Sequence, residues 1–460
     1  MAQDTPRETR IRELGTAPVA RLLFKYSLPA VIGTVVTSLY HLIDSIVIGH
    51  AIADPNVIAG IAVTFPVMSL SGAFGMLIGA GCATRISIVL GQKDMARAEN
   101  ILGNSVLLTL IIGLFYTSAL FIFLDPILKI FGASPASLPY ARTFMQWIIP
   151  GMVLINLTFS YNNVMRATGY PRKAMFTNIL GAVLNAILAP LFLFVFRFGI
   201  WGAALATDIS MFVTAFFVLQ HFFVPSHTLT FRRGTYRLRW RIVSSVISIG
   251  MAPFCINFAA AAINAIVNNS LFRNGGDNAI AAIVVFNRFI TIFVFIVIGI
   301  TQGMQPILGY NYGSGRYQRL FRTLTYAIIA GLITTALGAT LAQLFPTSIA
   351  SLFMQDPTQI AVAADCLRKV TLLFTLVGFQ IVATNFFQSL GMPLKAIFLS
   401  LTRQIIFMIP ALLILPPIFG LDGVWYAYPL CDILSVIITA ILLTWQIRRI
   451  KSRIPVLSTR

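Results

Sequence analysis

The chain has 460 residues, 58% of them hydrophobic, only 10% charged, and a net charge of +19. Average soluble domains carry roughly 25% charged residues, so this composition excludes a set of ordinary soluble domains. Apolar runs such as 20–49, 101–124 and 425–445 reach the ~20 residues that cross a hydrocarbon core about 30 Å thick, which makes this a membrane protein.

Residues 1–20 are polar and charged (Asp4, Arg7, Glu8, Arg10, Arg12, Glu13). That is the opposite of a cleavable apolar leader, so a cytoplasmic segment before a retained first span is expected. Span 1 covers 21–49, with Pro29 near its start as a hinge and Gly33, Thr37, Tyr40 and Asp44 at i, i+4, i+7 and i+11, one helical face. An ionised carboxylate in the bilayer costs at least a few kcal/mol unless paired or hydrated, and span 1 has no Lys or Arg at helical spacing from Asp44. Such a group alternates between a neutral protonated state and an ionised cation-bound one, the behaviour of a proton or cation exchange site. His41, one turn earlier, could share its proton.

Spans 2 and 3 follow at 57–81 and 101–124. Span 4 (140–165) carries Asn156, Ser160 and Asn163, and span 5 (174–196) carries Asn178 and Asn185. Span 6 (200–224) contains Thr207 and Asp208, a hydroxyl and a second carboxylate. The link 225–241 holds Arg232, Arg233, Arg237, Arg239 and Arg241. Span 7 (242–270) repeats the polar stripe as Asn257, Asn264 and Asn268. Span 8 (278–303) has Arg288 at its middle, which is expected to face the interior or an acid. Spans 9–12 occupy 322–345, 366–389, 396–419 and 423–447. Arg403 is near enough to a span end to snorkel, while Asp365 and Asp432 are weaker site candidates. A basic tail, 448–460, ends the chain.

With this count, 25 of the 33 Lys and Arg fall on the side that bears both termini, six on the other, and Arg288 and Arg403 within spans. The bias follows the positive-inside rule and accounts for the charge without nucleic acid. Both termini are expected in the cytoplasm, in a multi-pass protein of the inner (plasma) membrane.

The two halves repeat. An offset of 224 puts Pro29 on Pro253, Gly79 on Gly303 and Gly91 on Gly315; an offset of 222 puts Gly169 on Gly391, Pro171 on Pro393 and Lys173 on Lys395. The fold expected is all-α: twelve transmembrane helices in two six-helix lobes, 21–224 and 242–447, related by a pseudo-two-fold along the membrane normal. Substrate sites are expected between such halves. The superposed stripes of spans 1 and 7 then suggest one central cavity lined by Tyr40, Asn163, Asn178, Asn257, Asn264, Asn268 and Arg288.

The four cysteines are scattered, with no CxxC, and the four histidines have no metal-ligand spacing. GxSxG, HExxH and P-loop motifs are absent, so no enzyme and no cofactor are expected, and transport must draw on an ion gradient.

The strings LPAVIGTVVTSLYHLIDSIVIG (28–49), GAGCATRISIVLGQKD (79–94) after span 2, RATGYPRKAM (166–175) and QGMQPILGYNYGSGR (302–316) after span 8 resemble the multidrug and toxic compound extrusion (MATE) transporters, in the branch of DinF- and MepA-type proteins. The resemblance covers essentially the whole chain. It implies two V-shaped lobes exporting amphipathic, often cationic compounds by H⁺ or Na⁺ antiport. It assigns coupling to Asp44, with Asn185 and Thr207 at matching positions of the N-lobe ion site. The family's span-5 Asp is missing: Ala189 stands there, and Asp208, next to Thr207, is the candidate substitute. One carboxylate favours H⁺; Na⁺ at Asp44, Asn185 and Thr207 is the alternative. A monomer binding small amphipathic solutes within the lipid bilayer is expected. The runner-up is a flippase for a lipid-linked saccharide or peptidoglycan precursor, which would need a strongly cationic cavity and typically fourteen spans.

Overall fold

The structure, a computed structural model, describes residues 6–51, 55–232 and 234–452. A short helix, Pro6–Thr16, precedes the bundle. The N-lobe consists of Val19–Ala51, Pro55–Gly91, Met95–Ile122, the pair Leu138–Ile148 and Met152–Ala167 bent by 56°, Pro171–Pro190 and Ile200–Gln220. The C-lobe opens with Trp240–Gly313, two spans joined where Gly276 turns out of helix (φ 61°). It continues with Tyr317–Leu344, the pair Pro357–Val370 and Thr375–Ser389 bent by 55°, Pro393–Leu401 running through a π turn into Met408–Phe419, and Leu421–Lys451. Among the described residues, ten helices are long and apolar enough to cross a membrane, and counting each bent pair as one span makes twelve.

The repeat read from the sequence recurs in the backbone. Gly169 and Gly391, 222 apart, both take left-handed φ (98° and 70°), as do Lys93 (62°) and Gly315 (69°) at the same offset. Each glycine of the first pair precedes a helix that begins at proline, Pro171 or Pro393. There the missing N–H is one the first turn leaves unpaired anyway.

Spans 2 and 8 run about ten residues beyond their apolar stretches, to Gly91 and Gly313. The strings 79–94 and 302–316, expected as post-span segments, are thus largely helical. One buried polar side chain bridges the two lobes here: Gln305 donates to Thr84 Oγ1 at 2.7 Å and to Ala80 O at 3.3 Å. Here backbones touch. A Cβ on Gly81 would lie 2.0 Å from Val246 O, one on Gly250 1.6 Å from Leu77 O, and one on Gly303 2.5 Å from Ser27 Cα. The end of the bundle bearing the N-terminal helix is therefore shut, and that helix braces it: Asn311 donates to Leu14 O at 3.0 Å and Arg319 to Ala17 O at 2.5 Å.

The basic link lies on span 3 rather than running free. Arg239 N donates to Asn104 Oδ1 at 2.7 Å, and Arg232 pairs with buried Glu99 at 3.1 Å.

Candidate ion and substrate site

The stripe on span 1 points into its own lobe. A Cβ on Gly33 would meet Asn178 Nδ2 of span 5 at 3.0 Å, and Asp44, eleven residues on, shares that face. Val31, Ser27 and Thr34, on the other side of the helix, contact span 8, where Thr34 Oγ1 donates to Phe295 O at 3.1 Å. Asp44 is half-buried, and its Oδ1 has no hydrogen-bond partner among the described residues. The side chains of Tyr40 and His41 lie outside the described residues.

Eleven residues beyond Asn178 on span 5 is Ala189, fully buried. Both steps climb about 16 Å along helices that start from the same end, so Ala189 stands at the level of Asp44. The position where the resemblance implied a second acid holds a methyl group.

Asn185 and Thr207 do come together. Asn185 Nδ2 donates to Thr207 Oγ1 at 3.0 Å, and that hydroxyl donates to Ala203 O at 3.1 Å. Thr207 also lines a cavity of about 100 Å³ within the N-lobe, with Thr37, Thr158, Asn178, Ser210 and Met211 among its walls. Asp208 points elsewhere: a Cβ on Gly151 would sit 2.0 Å from its Oδ1. It therefore occupies the break between the halves of span 4, beside the helix that starts at Met152, and its Oδ1 is buried without a hydrogen-bond partner among the described residues.

Below the cavity lies a group that the sequence reading passed over. Arg166 is 6% exposed, and no acid comes within 4 Å of it among the described residues. Its guanidinium donates to Asn162 Oδ1 and, at 2.7 Å, to Asn163 Oδ1. Asn162 Nδ2 in turn reaches Ala174 O, Thr177 Oγ1 and Asn178 Oδ1 at 2.8–3.1 Å. Asn163 thus serves this clamp between spans 4 and 5. The spacing Asn162-Asn163-x-x-Arg166, one helical turn, was the available signal. In the remaining stripe, Ser160 bonds Gly75 O of span 2 at 2.9 Å, while Asn156 is buried with both side-chain polar atoms unpartnered among the described residues.

The stripe on span 7 faces the other lobe. Asn257 Nδ2 approaches Met76 Sδ at 3.9 Å, and Phe254 meets Phe74 at 5.1 Å between centroids. Asn264 and Asn268 lie on the same face, and both are exposed. Arg288 occupies the corresponding face of span 8, eleven residues before Gly299, whose Cβ would lie 2.5 Å from Val31 Cα; it too is exposed. The lobes therefore diverge above Asn257 into an open cleft. This corrects the single central cavity: span 1 and span 5 line a chamber inside the N-lobe, and spans 7 and 8 line the cleft.

A second correction concerns Arg403. It does not snorkel but pairs with buried Asp432 at 2.6 Å. Asp365 shares Lys369 with Asp422.

Residues 29–191 and 247–413 match the MatE family. Among curated proteins, the chain is 27% identical over 407 residues to a multidrug export protein MepA of Staphylococcus haemolyticus, covering 88% of this chain and 89% of that protein. It is 26% identical to the same-named protein of Staphylococcus aureus (strain MSSA476), covering 93% and 94%. Among solved structures, it superposes on a transporter of the MOP superfamily from Pyrococcus furiosus with TM-score 0.91 at 23% identity, covering 98% of this chain and 100% of that one. A MATE family multidrug resistance transporter in an outward-facing conformation gives TM-score 0.90 with the same identity and coverage.

Proposed function

Because the chain belongs to the MatE family, we propose that it is an ion-coupled antiporter exporting amphipathic organic compounds by alternating access, with H⁺ as the coupling ion. The observation that carries this reading is Asp44: a half-buried carboxylate whose Oδ1 lacks a partner among the described residues, turned into the N-lobe. Ionised and unpaired there, it costs several kcal/mol; protonated, it does not. Proton binding thus discriminates between conformations that hydrate Asp44 and those that seal it, the differential affinity that a population shift requires.

H⁺ is favoured over Na⁺ by the neighbourhood. A Na⁺ site would gather oxygens around the carboxylate, whereas Asn185 and Thr207 are bonded to each other and Ala189 supplies no charge. Asp208, turned to Gly151, is left out of the coupling site. With both termini cytoplasmic, as the distribution of basic residues indicates, the shut end faces the cytoplasm and the structure is the outward-open state. Protonation of Asp44 from outside, bending of span 1 near Pro29, release of substrate and return of the proton to the cytoplasm complete the cycle. The protein acts as a monomer in the plasma membrane, without a cofactor. The relatives' export of multiple drugs supports this reading. Twelve spans and, among the described cleft residues, one free cation speak against the flippase.

The test is dye efflux from everted vesicles with H⁺ and Na⁺ gradients imposed separately. Asp44→Asn should insert normally and lose H⁺-driven efflux. Export by the Asn variant equal to the parent's would falsify the assignment of Asp44, and efflux driven by Na⁺ alone would overturn the choice of ion.

A further inference from the structure

The cleft carries a charge that the coupling scheme does not use. Arg288 sits midway along span 8, on the face that lower down packs against span 1, and it is exposed. No salt bridge or side-chain hydrogen bond engages it among the described residues. The acids of the neighbouring spans are directed away from it. Asp432 belongs to Arg403 at 2.6 Å, Asp44 looks into the N-lobe, and Asp208 lies against Gly151. Asp277, exposed at the break between spans 7 and 8, is eleven residues and so about 16 Å away along the helix.

A guanidinium left unpaired at membrane depth is expensive, and charge at this depth marks a substrate path more often than a structural contact. Its surroundings define what would pair with it. Asn264 and Asn268, both exposed on the facing side of span 7, add amide donors. Ile292, one helical turn from Arg288 on the same face and 52% exposed, adds apolar surface beside it. A cation entering this cleft would meet a like charge.

We propose that the cleft binds amphipathic organic anions, an aromatic or aliphatic body with one carboxylate or sulfonate, through Arg288 with Asn264 and Asn268 beside it. This deepens the export reading and rests on it for the route, though not for the binding step. Arg is suited to the task because its planar fork donates two parallel hydrogen bonds to a carboxylate. The same chemistry would hold the phosphate of an anionic lipid, and the experiment separates the two.

The protein in nanodiscs of zwitterionic lipid is titrated with fluorescein and with rhodamine 123, which share a xanthene ring and carry opposite charge, and polarisation is read. The parent should bind fluorescein more tightly, and Arg288→Gln should weaken it by about tenfold or more, the loss expected for a hydrogen-bonded ion pair. Arg288→Lys should fall between, and rhodamine 123 should be unaffected or improved by Arg288→Gln. Equal fluorescein affinity in parent and Arg288→Gln overturns the proposal, as does a parent that prefers the cation. Displacement of fluorescein by phosphatidylglycerol that depends on Arg288 overturns the soluble-anion assignment in favour of a lipid. Because polarisation needs no gradient, anion binding without efflux under either ion gradient would sink the antiport reading and leave this one standing.

Discussion

Replacing Gly250 with alanine tests whether the shut end is a working gate. In the structure the new Cβ would lie 1.6 Å from Leu77 O, where ordinary contact begins at 3.4 Å. The two backbones must therefore separate by about 1.8 Å, and neither can rotate out of the way as a flexible side chain would. Overpacking of this kind costs typically 1–3 kcal/mol. Leu77 and Gly250 belong to different lobes, so the cost falls on the state closed at this end and not on a state that opens there. At 1.4 kcal/mol per decade, the upper value moves the ratio of the two states by about a hundredfold. Spin labels on spans 2 and 7 at that end, read by double electron–electron resonance, should show a longer interlobe distance in Gly250→Ala. Dye efflux should fall while the amount of inserted protein stays constant. A distance distribution and efflux rate both equal to the parent's would refute the reasoning, because the contact would then not limit closure.

Two further outcomes follow from named contacts. Asp432→Asn strands the guanidinium of Arg403 against a neutral neighbour, and breaking such a buried pair costs about 3 kcal/mol; the thermal midpoint in detergent should drop by several degrees, and pairing Asp432→Leu with Arg403→Met should restore much of it. At the corner of the basic link, His227 Nε2 faces Lys173 Nζ at 3.1 Å while its Nδ1 lies 2.6 Å from His221 O. An ammonium can only donate, so Nε2 accepts and Nδ1 carries the proton. Burial, with the nearby charges of Lys173 and Arg10, outweighs the His221 carbonyl and holds the imidazole below its ordinary titration range. Stability is therefore full above the unfolded value near 6.5 and is lost as pH falls below it, since the unfolded chain takes up the proton first. Thermal midpoints between pH 7.5 and 5 should decline less in His227→Gln than in the parent, and parallel declines would count against the proposed tautomer.

The sequence by itself determined the spans and the repeat, because both rest on local properties. Twenty apolar residues must cross the bilayer as helix to satisfy their own backbone. Gly169 with Gly391 and Pro171 with Pro393 recur at one offset whatever their helices pack against. It also singled out Asp44, since a lone carboxylate in an apolar run is visible without coordinates, and it paired Asn185 with Thr207 through the family resemblance.

What only the tertiary structure decided is where each stripe points. Helical spacing places Gly33, Thr37 and Asp44 on one face, but it does not say whether that face meets span 5 or the other lobe. The near-contact of Gly33 with Asn178 settles the first case, and that of Asn257 with Met76 the second. Burial of Arg166 between two asparagines and the pairing of Arg403 with Asp432 escaped for the same reason. Each depends on which neighbour a helix acquires, and this is set by backbone approach at residues such as Gly81 and Gly250, far along the chain from the side chains they bring together.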